Sequence, residues 1–264
     1  MNERTQKLTF HNQRGEALDA RLELPPGAPH SCALFAHCFT CSKDVAAASR
    51  ISRALAANHI AVLRFDFTGL GNSEGDFANT NFSMNVDDLV AAADSLRESL
   101  HAPALLIGHS LGGLAVISAA SRVPECVGVV TIGAPSEPVH VSHLFASHLP
   151  AIESGGAAEV QLGGRTFTIR RQFVEDLVEH ETLEHVRSLN KALLIFHSPV
   201  DTTVDIENAR KIYDAARHPK SFISLADADH LLSRKDDSEY VAATIAAWAG
   251  RYLDSETRID ARRA

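Results

Sequence analysis

A serine between glycines stands where an apolar run gives way to a second apolar run. The pentapeptide GHSLG at 108–112 follows the run ALLI at 104–107 and precedes LAVISAA at 114–120. A buried strand, a tight turn and a helix in that order would lift the Ser110 hydroxyl clear of a sheet. It would then lie at a helix start, where unpaired N–H groups favour negative charge. This setting is typical of a nucleophilic serine.

A nucleophilic serine needs a base, and the base needs an orienting acid. The run ALLIFH at 192–197 predicts a central parallel strand, and Asp201 follows it. The next strand candidate, at 220–225, leads into His230. Loops at the carboxyl ends of parallel strands share one edge of the sheet, where ligands bind. We therefore predict that His230 takes the Ser110 proton during attack, while Asp201 fixes the imidazole.

Three other aspartates compete for the role of the acid. Asp205 falls where a helix should begin, which indicates a capping or first-turn charge. Asp227 and Asp229 are too near His230 in sequence to reach it easily from a separate strand. The spacing therefore favours Asp201.

The order Ser110, Asp201, His230 is the order found in α/β hydrolases, and the chain resembles that family up to about Leu253. LFAHCFT at 34–40 resembles the family's H-G-x loop, although Cys38 replaces the glycine. DFTGLGNS at 66–73 resembles its D-x-R-G-x-G-x-S loop, although Thr68 stands where arginine is usual. The resemblance is to the serine-esterase branch.

This resemblance implies an α/β-hydrolase fold, that is, an α/β protein with a mostly parallel, doubly wound sheet. It also implies an oxyanion hole formed by the backbone N–H groups of Phe39 and Leu111. The segments HCFTCSKD and RFDFTGLGNSEGDFANTNFS resemble sequences of bacterial fusion proteins in which such a hydrolase precedes an OsmC-like domain. An OsmC-like domain in a longer parent chain is thus an implied partner. The sequence leaves open whether this chain is a stand-alone relative or half of such a fusion.

The alternation of strand and helix patterns predicts a single domain over 1–264 with one interruption. Between about 136 and 190 the rhythm breaks, and two alternating runs flank Gly163-Gly164, a hairpin signal. We expect this insertion to fold over Ser110 as a small cap that shapes the substrate pocket. A short helix is predicted at 139–149. From the positions of their loops, we expect Phe39, Phe67 and Leu144 near the acyl group.

Composition excludes several classes of partner. The 264 residues have a formal net charge of −8, with 45% hydrophobic and 22% charged residues. Nucleic acid and anionic membranes attract basic surfaces, so we expect neither as a partner. The first residues are polar and no run is long enough for a membrane span, which predicts a cytoplasmic protein. We expect a small-molecule ester as substrate and no cofactor; the oligomeric state, including a homodimer, stays open.

The four cysteines, Cys32, Cys38, Cys41 and Cys126, should be free thiols in a reducing compartment. The C-x-x-C spacing of Cys38 and Cys41 leaves open a redox bridge that modulates activity. It also allows half of a zinc site with His37, but no second pair of this kind completes four ligands. We therefore predict no metal site.

The function that these residues favour is hydrolysis of carboxylic esters, with short acyl chains, through an acyl-enzyme. A peptidase or a thioesterase could use the same three residues, and a non-catalytic interaction domain could retain the fold. Ester hydrolysis is the interpretation that the resemblance supports.

Overall fold

A computed structural model describes residues 4–260 and contains one eight-stranded sheet with helices on both faces. The strands run in the order β1-β2-β4-β3-β5-β6-β9-β10. β1 and β2 pair antiparallel with each other, β2 pairs antiparallel with β4, and the remaining neighbours are parallel. The sheet strands are β1 Thr5–His11, β2 Ala17–Glu23, β3 Ser31–Ala36, β4 Ile60–Phe65, β5 Leu105–His109, β6 Gly128–Ile132, β9 Ala192–His197 and β10 Lys220–Ser224.

Helices follow the parallel strands, as the alternating pattern predicts. Two separate layers form because successive side chains of a strand point to opposite faces. α1 and α8 cover one face and share a buried cluster with Leu105 and Ile107. α2 and α3 cover the other face, where Leu106 points. The helices are α1 Ala46–Ala57, α2 Phe82–Ser99, α3 Leu111–Ala119, α4 Leu149–Gly155, α5 Arg171–Glu179, α6 Thr182–Ser188, α7 Glu207–Ala215 and α8 Lys235–Asp260.

The strand order reverses direction between β3 and β5. From β3 the chain moves outward to β4, then returns past β3 to β5 and continues to β6. Where the strand order reverses, the loops that follow the two neighbouring strands run to opposite sides. A crevice therefore opens between these loops at the carboxyl ends of the strands. The loop that begins at His37 and the turn at Ser110 flank this crevice. The fold class predicted from the sequence is confirmed.

An inserted segment, residues 138–188, separates β6 from β9. It contains a 3-10 helix at Pro138–His148, helices α4 to α6, and the antiparallel hairpin β7 Ala157–Leu162 with β8 Arg165–Arg170. Gly163 and Gly164 have φ values of 55° and 76°, as a two-residue hairpin turn requires. The predicted helix at 139–149 is a 3-10 helix interrupted by non-helical backbone at Phe145.

The cysteines differ from the prediction. Cys38 and Cys41 form a disulfide, whereas Cys32 and Cys126 are buried free thiols. The expectation of free thiols is therefore wrong for Cys38 and Cys41. That expectation rested on an assumed reducing compartment. In the structure the loop after β3 turns back on itself, with the Cys41 N–H donating to the Cys38 carbonyl, and this turn brings the two cysteines together.

A buried ion network ties the loop after β3 to the loop after β4. The Lys43 ammonium is 2.6 Å from both Asp66 and Asp19 carboxylates, and Asp66 also accepts from the Lys43 N–H at 2.7 Å. Burial lowers the pKa of Lys43, but its hydrogen bonds to Asp19 and Asp66 outweigh burial and leave the pKa above its ordinary value. Asp66 is fully buried, and the Lys43 ammonium is its cationic partner.

Removing the Lys43 charge should destabilise the protein strongly. Lys43→Met strands the Asp66 carboxylate without its cation, which costs about 3–5 kcal/mol when one partner of a buried pair is deleted. The free energy of unfolding in urea measures this loss. Lys235→Met is the matched control, because Lys235 pairs with Glu239 at an exposed site and should cost at most about 1 kcal/mol. Equal losses in the two variants would contradict the assignment.

Alkylation should distinguish the two kinds of cysteine. Burial raises the pKa of Cys32 and of Cys126 to about 11, so both thiols stay protonated and unreactive in the folded protein. In denaturant without reductant, we expect two alkylated cysteines by mass spectrometry, and four after reduction. Cys41→Ser should give three without reductant. Four modified cysteines in the unreduced wild-type protein would exclude the Cys38–Cys41 bridge.

Candidate active site

Ser110 occupies a strained turn between β5 and α3. Its φ of 54° and ψ of −126° lie outside the conformations that a serine normally adopts. Two hydrogen bonds hold this backbone: the Ser110 N–H donates to the Ile132 carbonyl at 2.8 Å, and the Gly113 N–H donates to the Ser110 carbonyl at 2.8 Å. Strain of this kind persists where neighbouring structure enforces it, and it concentrates at functional sites.

The glycines on either side of Ser110 are required by close backbone contacts. A Cβ on Gly108 would lie 2.2 Å from the Gly112 carbonyl oxygen, and one on Gly112 would lie 2.5 Å from the His37 carbonyl oxygen. Carbon and oxygen atoms cannot approach so closely, so a side chain at either position would force the backbone apart. The spacing of the pentapeptide thus reflects how tightly α3 packs against the end of β3.

Asp201 lies in the loop after β9, where the sequence predicts it. Its Oδ1 accepts hydrogen bonds from the backbone N–H groups of Thr203 and Val204, at 2.8 and 2.9 Å. Burial raises the pKa of Asp201, but hydrogen bonds from His230 and Val204 outweigh burial, so the pKa lies below its ordinary value. The carboxylate is therefore ionised at neutral pH and fixed in orientation.

His230 lies in the loop after β10 and contacts Asp201 directly. Its Nδ1 donates to Asp201 Oδ2 at 2.7 Å. The proton on Nδ1 leaves a lone pair on Nε2, which is the form that a general base requires. The other aspartates are occupied elsewhere: Asp205 accepts from the Glu207 N–H, Asp227 pairs with Arg234, and Asp229 accepts from the Ser233 N–H.

Asp201 and His230, the candidate acid and base, meet beside β6, whose end binds the Ser110 backbone. A Cβ on Gly133 would lie 3.4 Å from both Asp201 Oδ2 and His230 Nδ1. Gly133 directly follows Ile132, whose carbonyl accepts the Ser110 N–H. The hydrogen bond of the His230 side chain is the one to Asp201 Oδ2. In unliganded enzymes the contact between nucleophile and base is often long, and it shortens with substrate.

His109 has a contact that the sequence prediction missed. Sequence reasoning treats it as a packing residue, but its Nε2 lies 2.7 Å from the His230 carbonyl oxygen. The signal that could have identified it is its place at the end of β5, two residues after Ile107 on the same face of the sheet. Similarly, His197 Nε2 donates to the Val204 carbonyl at 2.7 Å and supports the Asp201 loop.

A small cavity adjoins the candidate oxyanion donors. Its volume is about 10 Å³, which is room for about one water molecule. Leu111 is the first residue of α3, and N–H groups in the first turn of a helix have no intrahelical partner. The cavity is lined by His37, Cys38, Phe39, Phe67, Leu70, Phe77, Asn85, Leu111, Gly112 and Ala115.

Aromatic side chains connect this cavity with the inserted segment. The Phe77 ring lies between Phe39 on the β3 loop, at 5.9 Å, and Phe167 of β8, at 4.9 Å. Phe173 of α5 packs against both Phe39 and Phe77, at 5.5 and 6.0 Å. Phe39 and Phe67 line this cavity, whereas Leu144 of the 3-10 helix is exposed and does not. Two of the three residues expected near the acyl group thus lie together, and the acyl site itself stays a prediction.

The inserted segment also binds the β3 loop through polar groups. The Arg165 guanidinium donates to the Thr40 carbonyl, and Thr40 has a φ of 58°. Among residues 4–260 no three histidine, cysteine or acidic side chains form a cluster able to hold a metal ion. None of the helices in that range combines the length and apolar character needed to cross a bilayer.

Comparisons with known proteins agree with this architecture. Residues 24–261 match the model of the "Alpha/beta hydrolase family". The esterase domain of a Rhodothermus marinus protein superposes with a TM-score of 0.78 at 50% identity, covering 94% of this chain and 99% of that one. Est1E of Butyrivibrio proteoclasticus, solved with ferulic acid, superposes with a TM-score of 0.76 at 19% identity, covering 93% of this chain and 99% of that one.

Mammalian relatives are more distant. The mitochondrial palmitoyl-protein thioesterase ABHD10 of Mus musculus is 23% identical over 198 residues, which cover 70% of this chain. The matched region spans 64% of that protein's length. The family model covers nearly the whole chain, the sheet order and Ser110 turn are those of the same fold, and the chain therefore belongs to the alpha/beta hydrolase family.

Proposed function

We propose that the protein is a serine esterase that cleaves carboxylic esters with short acyl chains through an acyl-enzyme intermediate. The observation that carries this proposal is the 2.7 Å hydrogen bond between His230 and Asp201, beside the strained Ser110 turn. A carboxylate, an imidazole and a hydroxyl in this order convert a weak nucleophile into an effective one. The 50% identical esterase domain of Rhodothermus marinus supports the choice of ester hydrolysis.

In this mechanism His230 Nε2 removes the proton from the Ser110 hydroxyl as its oxygen attacks the acyl carbon. Asp201 stabilises the imidazolium without taking the proton. Negative charge develops on the former carbonyl oxygen, and the backbone N–H groups of Phe39 and Leu111 bind it. His230 then protonates the departing alcohol, and water attacks the acyl-enzyme by the same steps in reverse.

The small cavity favours short acyl chains. It adjoins both proposed oxyanion donors, and Phe77 closes it against the inserted segment. In this proposal the inserted segment is the cap predicted from the sequence.

A thioesterase is the second candidate, since ABHD10 of Mus musculus is named a palmitoyl-protein thioesterase. A cytoplasmic location, a small-molecule substrate, an OsmC-like partner domain and a homodimer stay predictions from the sequence.

Labelling with a fluorophosphonate probe tests the nucleophile. The wild-type protein should become labelled on Ser110, and Ser110→Ala should abolish both labelling and ester turnover, because the variant lacks the proposed nucleophilic hydroxyl. Ser118→Ala is a matched control, since Ser118 lies on the same helix, α3, and contacts His185 instead. Labelling that persists in Ser110→Ala would place the nucleophile elsewhere.

A panel of p-nitrophenyl esters, thioesters and amides identifies the bond that the enzyme cleaves. Faster turnover of amides than of esters would reject the proposed esterase.

Truncating Phe77 should lengthen the acyl chain that the enzyme accepts. Phe77→Ala removes a cavity wall, so the kcat/KM ratio of p-nitrophenyl hexanoate to acetate should rise about tenfold, the effect of one or two accommodated methylenes. Phe167→Ala is the control, because Phe167 contacts the Phe77 ring but does not line the cavity. If both variants shifted the ratio equally, loosening of the inserted segment and not the cavity wall would set chain length.

A further inference from the structure

The imidazole of His109 has no part in the proposed reaction, yet it is buried beside the proposed base. Its Nε2 lies 2.7 Å from the His230 carbonyl oxygen, and the two ring centroids are 5.1 Å apart. A carbonyl oxygen accepts, so His109 must donate from a protonated Nε2. Burial, followed by the nearby His230, lowers the pKa of His109 to about 3. The ring is therefore neutral and offers one N–H to one carbonyl.

The alternation of β5 explains why His109 reaches this loop. Leu105, Ile107 and His109 are two residues apart, so their side chains point to the same face of the sheet. That face is covered by α1 and α8. The loop that contains His230 packs there too, through buried Leu225, Ala228 and Leu232. The last inward position of β5 therefore lies beneath the main chain of the proposed base.

The loop needs contacts from outside itself to keep its shape. Ala226 and Leu232 have φ values of 48° and 49°, which non-glycine residues seldom adopt and which cost free energy. The Leu225 N–H is bound by the His197 carbonyl, and Arg50 binds the Ser233 carbonyl. Those contacts hold the ends of the loop. The His109 contact holds its middle, at the residue that carries the imidazole.

We propose that His109 is a positioning residue that sets the distance between the His230 imidazole and the Ser110 hydroxyl. This inference rests on the proposed function. The hydrogen bond from Nδ1 to Asp201 fixes the direction of the His230 ring. This bond alone does not fix the His230 backbone, so the ring could still move together with the loop. His109 fixes that main chain, and it is covalently joined to Ser110. The position of the proposed base is thus fixed relative to His109, the residue directly before the proposed nucleophile.

Two substitutions separate the N–H donor from the rest of the His109 side chain. His109→Gln keeps an N–H near the position of Nε2, whereas His109→Leu fills the space without a donor. We expect His109→Leu to lower kcat for p-nitrophenyl acetate about 10–100-fold, as small misplacements of catalytic groups do. KM should stay unchanged, because His109 does not line the acyl cavity. His109→Gln should restore most of kcat. If His109→Leu does not fold, His109→Asn, whose shorter amide cannot reach, takes its place.

Ile107→Val controls for a general loss of stability. Ile107 is buried on the same face of β5, and its aliphatic side chain cannot donate to the His230 carbonyl, so kcat should stay at the wild-type value even as the melting temperature falls. A kcat for His109→Leu equal to that of wild type would overturn the proposal, as would a glutamine variant as slow as the leucine variant. Either result leaves the proposed esterase intact if Ser110 still reacts with the fluorophosphonate. Absence of that reaction in the wild-type protein would reject the proposed function itself.

Discussion

The close approach of α3 to the end of β3 is the constraint on which the rest of the structure depends. Gly112 lies so near the His37 carbonyl that no side chain fits between them, and a Cβ on Gly108 would meet the Gly112 carbonyl. Ser110 lies in the tight turn between these two glycines, with a positive φ. The same close approach brings the first N–H of α3 beside the loop that begins at His37. The proposed nucleophile and the candidate oxyanion donors are therefore placed by one backbone packing contact.

The elements could be predicted from the sequence because their signals are local. Apolar runs bounded by turns predict the parallel strands, and the Gly-Gly pair at 163–164 predicts the hairpin β7–β8. Asp201 and His230 follow strands that end at one edge of the sheet, so topology alone brings them to the same place as Ser110. The Asp201–His230 hydrogen bond agrees with that expectation, and the roles of these residues are proposals that labelling tests.

Contacts between distant segments could not be predicted in the same way. The sequence does not indicate that Phe77 packs on Phe167, or that His109 contacts the His230 carbonyl, since both depend on how separate loops meet. The exposure of Leu144 could not be predicted either, since loop position does not say which way a 3-10 helix turns its side chains. The disulfide was missed because spacing allows a C-x-x-C pair to close but does not require it. In each case the deciding information lies in tertiary packing.

Charge and covalent bonding hold the loop after β3 from two directions. On the sheet side, Lys43 binds Asp66 and so joins this loop to the one after β4. Closer to the cavity, the disulfide closes the turn that contains Phe39. Both restraints are short-range, and both act within five residues of the proposed oxyanion donor. A loop with a cysteine in place of the usual glycine thus has its own means of keeping one conformation.

The bond from Arg165 to the Thr40 carbonyl has a practical consequence for redesign. A redesign meant to admit bulkier molecules would shorten the β7–β8 hairpin, which contacts the β3 loop and Phe77. Deleting that hairpin would also remove the guanidinium that restrains the backbone next to Phe39. Access to the crevice and the geometry of the proposed oxyanion donor are therefore linked through one side chain, and a shortened variant would need a new hydrogen-bond donor at Thr40 to keep both.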